Sequence, residues 1–180
     1  MRKQVLALSC SVLISCANLG GGQALRSTVK VPSAGVAGRI TIDEVVGKNM
    51  QSDPIRRLKL YLLRDDDTQP LVELQQSCRR ATADPHADPL RAYKTCDQNL
   101  RQAVEIIPKL RAVATTETDR DGHYEFAEVP AAGRYRVVGI KLVEGAEPVV
   151  VVGLTDKLRA GQRVTLNLSA NFPWTRDATP

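Results

Sequence analysis

Apolar and polar residues alternate with period two in several short stretches of this chain. Gly38-Arg39-Ile40-Thr41-Ile42-Asp43 alternates, and Leu58-Lys59-Leu60-Tyr61-Leu62 puts three leucines on one face. The same pattern, or a short β-branched run, recurs at Ala112 to Thr118, Tyr124-Glu125-Phe126, Tyr135 to Leu142, Val149 to Leu154 and Val164 to Leu168. Side chains of a strand point to opposite faces in turn, so each stretch predicts a strand with one buried face. Seven short strands with turn residues between them predict a mainly β, seven-stranded antiparallel sandwich. Asp119-Arg120-Asp121-Gly122 and Ala160-Gly161-Gln162 supply turn chemistry.

One stretch has a different period. Leu71, Leu74, Cys78 and Ala81 fall at three- and four-residue steps, as do Leu90, Tyr93, Cys96, Leu100, Val104 and Ile107. That spacing predicts two amphipathic helices. Pro70 and Pro89 suit first helical turns, Asp88 suits an N-cap, and Pro108 ends the second helix. An inserted αα-hairpin over residues 68–109 follows, between the second and third strands. Cys78 and Cys96 each lie on the apolar stripe of their helix, so a Cys78–Cys96 disulfide would staple the helices together.

The N-terminus predicts an address. Met1-Arg2-Lys3 is a positive start, and the apolar run from Val5 to Ile14 is far shorter than a membrane span. Leu13-Ile14-Ser15-Cys16 is similar to the lipobox of bacterial lipoproteins, in which the cysteine thiol takes diacylglycerol before the leader is cut. This predicts a signal peptide over 1–15, a lipidated Cys16, and a flexible tether over 16–33 with Gly20-Gly21-Gly22, Pro32 and Ser33. Ala17, rather than Asp, follows the cysteine and resembles the outer-membrane sorting pattern. The alternative is ordinary cleavage after Ala24, which would leave a secreted or soluble periplasmic protein. The four cysteines fit an oxidising compartment under either reading: Cys10 leaves with the leader, Cys16 is acylated or lost, and Cys78 and Cys96 pair. The sandwich domain is then 34–170, followed by a C-terminal tail over 171–180.

The run from Thr118 to Val137, Thr118-Asp119-Arg120-Asp121-Gly122-His123-Tyr124-Glu125-Phe126 onward to Gly133-Arg134-Tyr135-Arg136-Val137, resembles carboxypeptidase regulatory-like domains. Those have a prealbumin-like (transthyretin-like) sandwich. One residue is extra relative to that pattern, at Ala131-Ala132 before Gly133. Val36 to Ile40 resembles the family's opening strand and Val164 to Leu168 its closing strand; the helical insertion is outside the likeness. The resemblance implies a scaffold: Tyr124 and Phe126 in the core, Pro130 ending a strand, Gly133 turning the chain.

Composition then limits the chemistry. A net charge of +5 falls to about +3 without Arg2 and Lys3, too little to suggest nucleic acid. Aromatic residues make up 4%, which opposes a stacking surface for bases or sugars. Only His86 and His123 are available for acid–base or metal work. They form no His-x-His pair of the kind seen in intradiol ring-cleavage dioxygenases, which carry a similar tyrosine-containing run. The Tyr-Arg-Gly-Ser ending of hydroxyisourate hydrolases is absent, as are nucleophile-elbow, zinc-protease and phosphate-loop motifs. Cys78, Cys96 and His86 are too few for tetrahedral zinc. Asp65-Asp66-Asp67 with Asp119 and Asp121 offer oxygen ligands for calcium, but without EF-hand spacing they read as a solvated edge and a turn.

Trp174 is a candidate ligand platform or partner anchor, or a cap on the open end of the sandwich. The expectation is a non-enzymatic, lipid-anchored envelope protein with no catalytic, metal or cofactor site. It would act as a structural or interaction module with a protein partner in the envelope. The alternative is a glycan or small-ligand binding module at the membrane surface.

Overall fold

The computed structural model describes residues 32–46, 49–142, 148–171 and 173–180. The leader 1–15, Cys10, Cys16, Ala17 and the tether up to residue 31 lie outside the described residues. Residues Val31–Pro180 form one compact unit, which contains both hydrophobic cores and the disulfide.

The protein is mainly β, with two sheets and two helices. Its strands are β1 (Ser33–Val46), β2 (Asn49–Pro54), β3 (Lys59–Arg64), β4 (Ala112–Glu117), β5 (His123–Pro130), β6 (Tyr135–Lys141), β7 (Val149–Leu154), β8 (Arg163–Thr165) and β9 (Leu168–Ser169). The helices α1 (Gln69–Ala83) and α2 (Pro89–Ile106) stand between β3 and β4, flanked by 3₁₀ turns at Asp65–Thr68 and Ile107–Lys109.

Nine strands are described where seven were expected, and the pairing is not wholly antiparallel. Two causes account for this. β2 is polar and mostly exposed, so no alternation announces it; it is held by its ladder to the second half of β1. The closing strand is split. Asn167 turns its Oδ1 to the backbone N–H of Arg39 at 3.0 Å. The two halves, β8 and β9, both run parallel to β1. Val36 and Ala37 pair with both β5 and β8, so those strands flank β1 on opposite edges. Gly38 permits the close approach on the β8–β9 edge, because a Cβ there would collide with the Leu166 carbonyl.

The other sheet, in the order β4-β3-β6-β7, is antiparallel throughout. One of its faces meets the first sheet through Leu58, Leu60, Leu62, Tyr135, Val137 and Val151, packed against Val36, Ile40, Tyr124, Phe126 and Leu166. Tyr124 and Phe126 meet edge to face, with ring centroids 5.9 Å apart. Its other face carries Tyr61, Leu63, Val138, Val150 and Val152, covered by Leu71, Leu100, Ala103 and Ile107 of the helical segment. The result is three layers, sheet on sheet on helices.

The hairpin forms where its caps predict. Asp88 Oδ1 accepts the Leu90 N–H at 3.0 Å, and Pro70 and Pro89 sit in first turns. The Cys78–Cys96 disulfide joins the helices with Cα atoms 4.7 Å apart. The predicted stripe is right at one end only. Leu100 and Ile107 of that stripe are buried and Val104 is partly buried, whereas Leu90 and Tyr93 are 59% and 58% exposed.

Two boundaries also move. Ser33, assigned to the tether, begins β1 and pairs with Pro130. The tail is part of the body. Ala178 bridges Gly153, and its carbonyl accepts the Leu154 N–H at 2.7 Å. Asp177 is drawn in by Arg136, whose side chain is 5% exposed and lies on the helix-facing side of β6. That guanidinium reaches Asp65 Oδ1 at 2.8 Å, Asp177 Oδ1 at 3.1 Å and Gln75 Oε1 at 3.2 Å. It thus ties β6, the entry to α1, α1 itself and the tail to one point.

Removing one partner of a buried ion pair costs about 3–5 kcal/mol. Asp65 and Asp177 keep 25% and 19% of their surface in water and can partly rehydrate, so the lower figure applies. Arg136→Ala is expected to lower the unfolding free energy by about 3 kcal/mol, measured by chemical denaturation; a loss within error would show that the network is not structural. The disulfide closes a loop with a sequence separation of 18. Its reduction is expected to cost about 3 kcal/mol in the same assay, and Cys78→Ser/Cys96→Ser should match the reduced wild type.

Candidate functional site

Polar side chains line an open groove of about 700 Å³ beside the β4–β5 turn. It is lined by Arg39 of β1, Thr116 and Glu117 of β4, Asp119 and His123 of the turn, and Thr165 and Asn167. The turn forms because Asp119 Oδ1 accepts two backbone N–H groups, from Asp121 at 2.8 Å and His123 at 2.9 Å. Gly122 completes it with φ of +78°. The N–H of His123 is the main cause holding the Asp119 carboxyl below its ordinary pKa; desolvation opposes it, and the Asp121 N–H and the charges of His123 and Arg120 add to the lowering.

Each conspicuous group here has a structural task. Arg39 Nε donates to the Asp121 carbonyl at 3.0 Å, bracing the turn against β1. Arg163 pairs with Glu125 across the outer sheet face at 2.8 Å. His123 is exposed, with Nδ1 3.8 Å from Asp119 Oδ2. Tyr124 reaches the groove from below but is 4% exposed. Its hydroxyl donates to the Leu166 carbonyl at 2.6 Å, and burial pushes its pKa up. The groove therefore offers hydrogen-bonding groups and the exposed imidazole of His123, but no exposed tyrosine ring.

The other sequence candidates fall elsewhere. His86 sits in the exposed α1–α2 loop, remote in sequence and element from His123. Asp65 serves Arg136 and Arg134, and Asp66 and Asp67 remain exposed in the 3₁₀ turn. Among the described residues no group of three His, Cys, Asp or Glu side chains could hold a metal ion. Cys78 and Cys96 are disulfide-bonded. Trp174 is half-buried against the sheet–helix core, and its carbonyl accepts from Gln75 Nε2 at 2.8 Å. It closes that second core rather than the open end of the sandwich. Cys16 lies outside the described residues. Sequence reasoning missed Arg136; the one signal for it is a charge between Tyr135 and Val137 in an otherwise apolar strand.

A second depression is apolar. About 520 Å³ in volume, it lies at the end of the sandwich where Pro32 meets the β5–β6 and β7–β8 loops, lined by Ala131, Ala132, Leu158 and Ala160 with Lys157 and Arg159 beside them.

No family model matches the chain, and no curated protein matches it. Among solved structures it is similar to a Pseudomonas aeruginosa protein provisionally described as carbohydrate binding. The identity is 17% over 79% of this chain and 92% of that one, with a TM-score of 0.40.

The Asp119 carboxyl titrates lower folded than unfolded, so its contribution to the turn is complete above about pH 4, its unfolded value. That contribution is lost as pH falls through the depressed folded value. Hydrogen exchange followed by NMR, corrected for its intrinsic pH dependence, is therefore expected to show protection of the Asp121 and His123 amides dropping in acid. Asp119→Asn should blunt the pH dependence; an unchanged profile would remove the carboxylate from the turn.

Proposed function

We propose that this chain is a non-enzymatic, lipid-anchored protein of the bacterial envelope, held through an acylated Cys16 at the outer membrane. Its body is read as a carboxypeptidase regulatory-like, prealbumin-like sandwich that serves as an interaction module for a protein partner. The observation that carries the reading is the Cys78–Cys96 disulfide. Structural disulfides belong to exported proteins. With that pair made, Cys16 is the thiol left over downstream of the leader, and it stands in the Leu-Ile-Ser-Cys context that acylation needs.

The body supports the non-enzymatic part. Asp119, Arg39, Tyr124, Arg136 and Asp65 are each engaged in holding the scaffold, and the two histidines stand in separate elements. The stapled hairpin supports the interaction part, since it holds exposed Leu90 and Tyr93 on a helix tied to its neighbour. The runner-up, a glycan-binding module, would have the polar groove as its seat, where Tyr124 is buried instead of offered for stacking.

Cells expressing the chain and fed a palmitate analogue should label the wild type and not Cys16→Ser. The variant should also leave the membrane fraction. Label retained by Cys16→Ser, or none on the wild type, would overturn the anchored reading in favour of ordinary export.

A further inference from the structure

We infer that the end of the sandwich around Pro32 is a membrane-apposed surface that docks on anionic phospholipid, independently of any acyl chain. The inference rests on the envelope location proposed above, and its test is separate from the test of the anchor.

Three observations converge there. The surface is apolar at its centre: Pro32 and Ala160 are exposed and Ala131 and Leu158 line the floor of the cavity. It is cationic at its rim: Lys157 and Arg159 are exposed, and neither is in an ion pair among the described residues, whereas neighbouring Arg163 and Arg134 reach Glu125 and Asp65. Asp156 is the one acid in the loop 155–162. Apolar contact with a basic border is what the interface of an anionic bilayer selects: alkyl groups enter the headgroup boundary and cations meet lipid phosphates.

The third observation is covalent. The chain carrying Cys16 joins the body at Pro32, on the wall of this cavity. Sixteen residue steps separate Cys16 from Pro32, so full extension gives at most about 55 Å. An anchor at Cys16 would therefore hold this end of the body within that reach of a bilayer.

The surface is also held in shape. Ala132 has φ of +67°, a conformation in which a side chain is strained. Two hydrogen bonds keep it there, from Ala132 N–H to the Leu158 carbonyl at 2.7 Å and from Leu158 N–H to the Gly133 carbonyl at 2.9 Å. These lock the β5–β6 loop to the β7–β8 loop. Ala131 N–H donates to the Pro32 carbonyl and Gly161 N–H to the Ser33 carbonyl, adding the start of β1 to the same frame.

The test uses residues 16–180 carrying Cys16→Ser, made without the leader, so that neither an acyl chain nor a signal peptide contributes. Co-sedimentation should show binding to vesicles containing phosphatidylglycerol, weakening with salt, and none to pure phosphatidylcholine. Lys157→Gln/Arg159→Gln should weaken partition at least about tenfold, with an unchanged circular dichroism spectrum. Arg26 and Lys30 remain in both proteins, so the difference isolates the loop cations. Ala160→Asp should weaken binding as well. No binding, equal binding to both vesicles, or insensitivity to these substitutions would overturn the inference. Self-association abolished by the same substitutions, without vesicle binding, would overturn it too and assign the surface to a second copy. Vesicle binding without palmitate labelling in cells would separate this surface from the anchor, and the reverse would leave the anchor alone.

Discussion

The β4-β3-β6-β7 sheet is buried on both faces, and the rest of the structure follows from that constraint. A sheet with one wet face needs a single apolar partner. This one needs two, and the chain supplies the second by interrupting itself between β3 and β4 with a helical hairpin. Burial on both sides leaves no tolerance for an unpartnered charge, so the buried cation near the start of β6, Arg136, is met by Asp65, Asp177 and Gln75 from three other segments. The network that neutralises it is also what positions α1 and draws in the C-terminus. Removing the hairpin would strip the second core of its cover and leave Arg136 short of Gln75.

Much of the fold is legible in the residues. The seven predicted stretches all lie in or overlap strands, and the change from period two to helical spacing locates the hairpin to within a few residues. The capping Asp88 and both prolines act as their chemistry dictates. What escapes the pattern does so for identifiable reasons. β2 buries almost nothing, so pairing rather than hydrophobicity makes it a strand. The two-sided burial of β6 and β7 is encoded in the unbroken runs Val137-Val138 and Val149 to Val152, a signal distinct from alternation. Leu90 and Tyr93 show the limit of helical periodicity, which gives the face of a helix and not how much of its length has a neighbour.

The candidate sites were less legible than the fold. The Asp119–Gly122 segment was legible as a turn, and its hydrogen bonds are those of one. Trp174, a candidate platform, anchor or cap in the sequence, stands half-buried against the sheet–helix core, a contact no periodicity announces. The apolar end near Pro32 combines residues 32, 131–132 and 157–160, which no linear motif unites. Only the topology brings the start of β1, the β5–β6 loop and the β7–β8 loop to one end.

Close packing in the β5–β6 loop explains why that end has its particular shape. Gly133 lies against the Tyr135 ring, where an added Cβ would be 2.7 Å from the hydroxyl oxygen, so no larger residue fits. The Tyr135 hydroxyl in turn donates to the Pro130 carbonyl at 2.7 Å, fixing the ring under the loop. The glycine is thus committed to the close approach and is not the residue with positive φ. The left-handed position falls to Ala132, which has a Cβ and takes on the strain. A glycine there would relax the backbone at no evident loss of packing. The strain persists because Leu158 holds both sides of the residue, and the same grip sets Lys157 and Arg159 on either side of a buried leucine, facing outward at the rim. The strain at Ala132 and the outward placement of the two cations thus share one frame, the hydrogen bonds of Leu158 to Ala132 and Gly133.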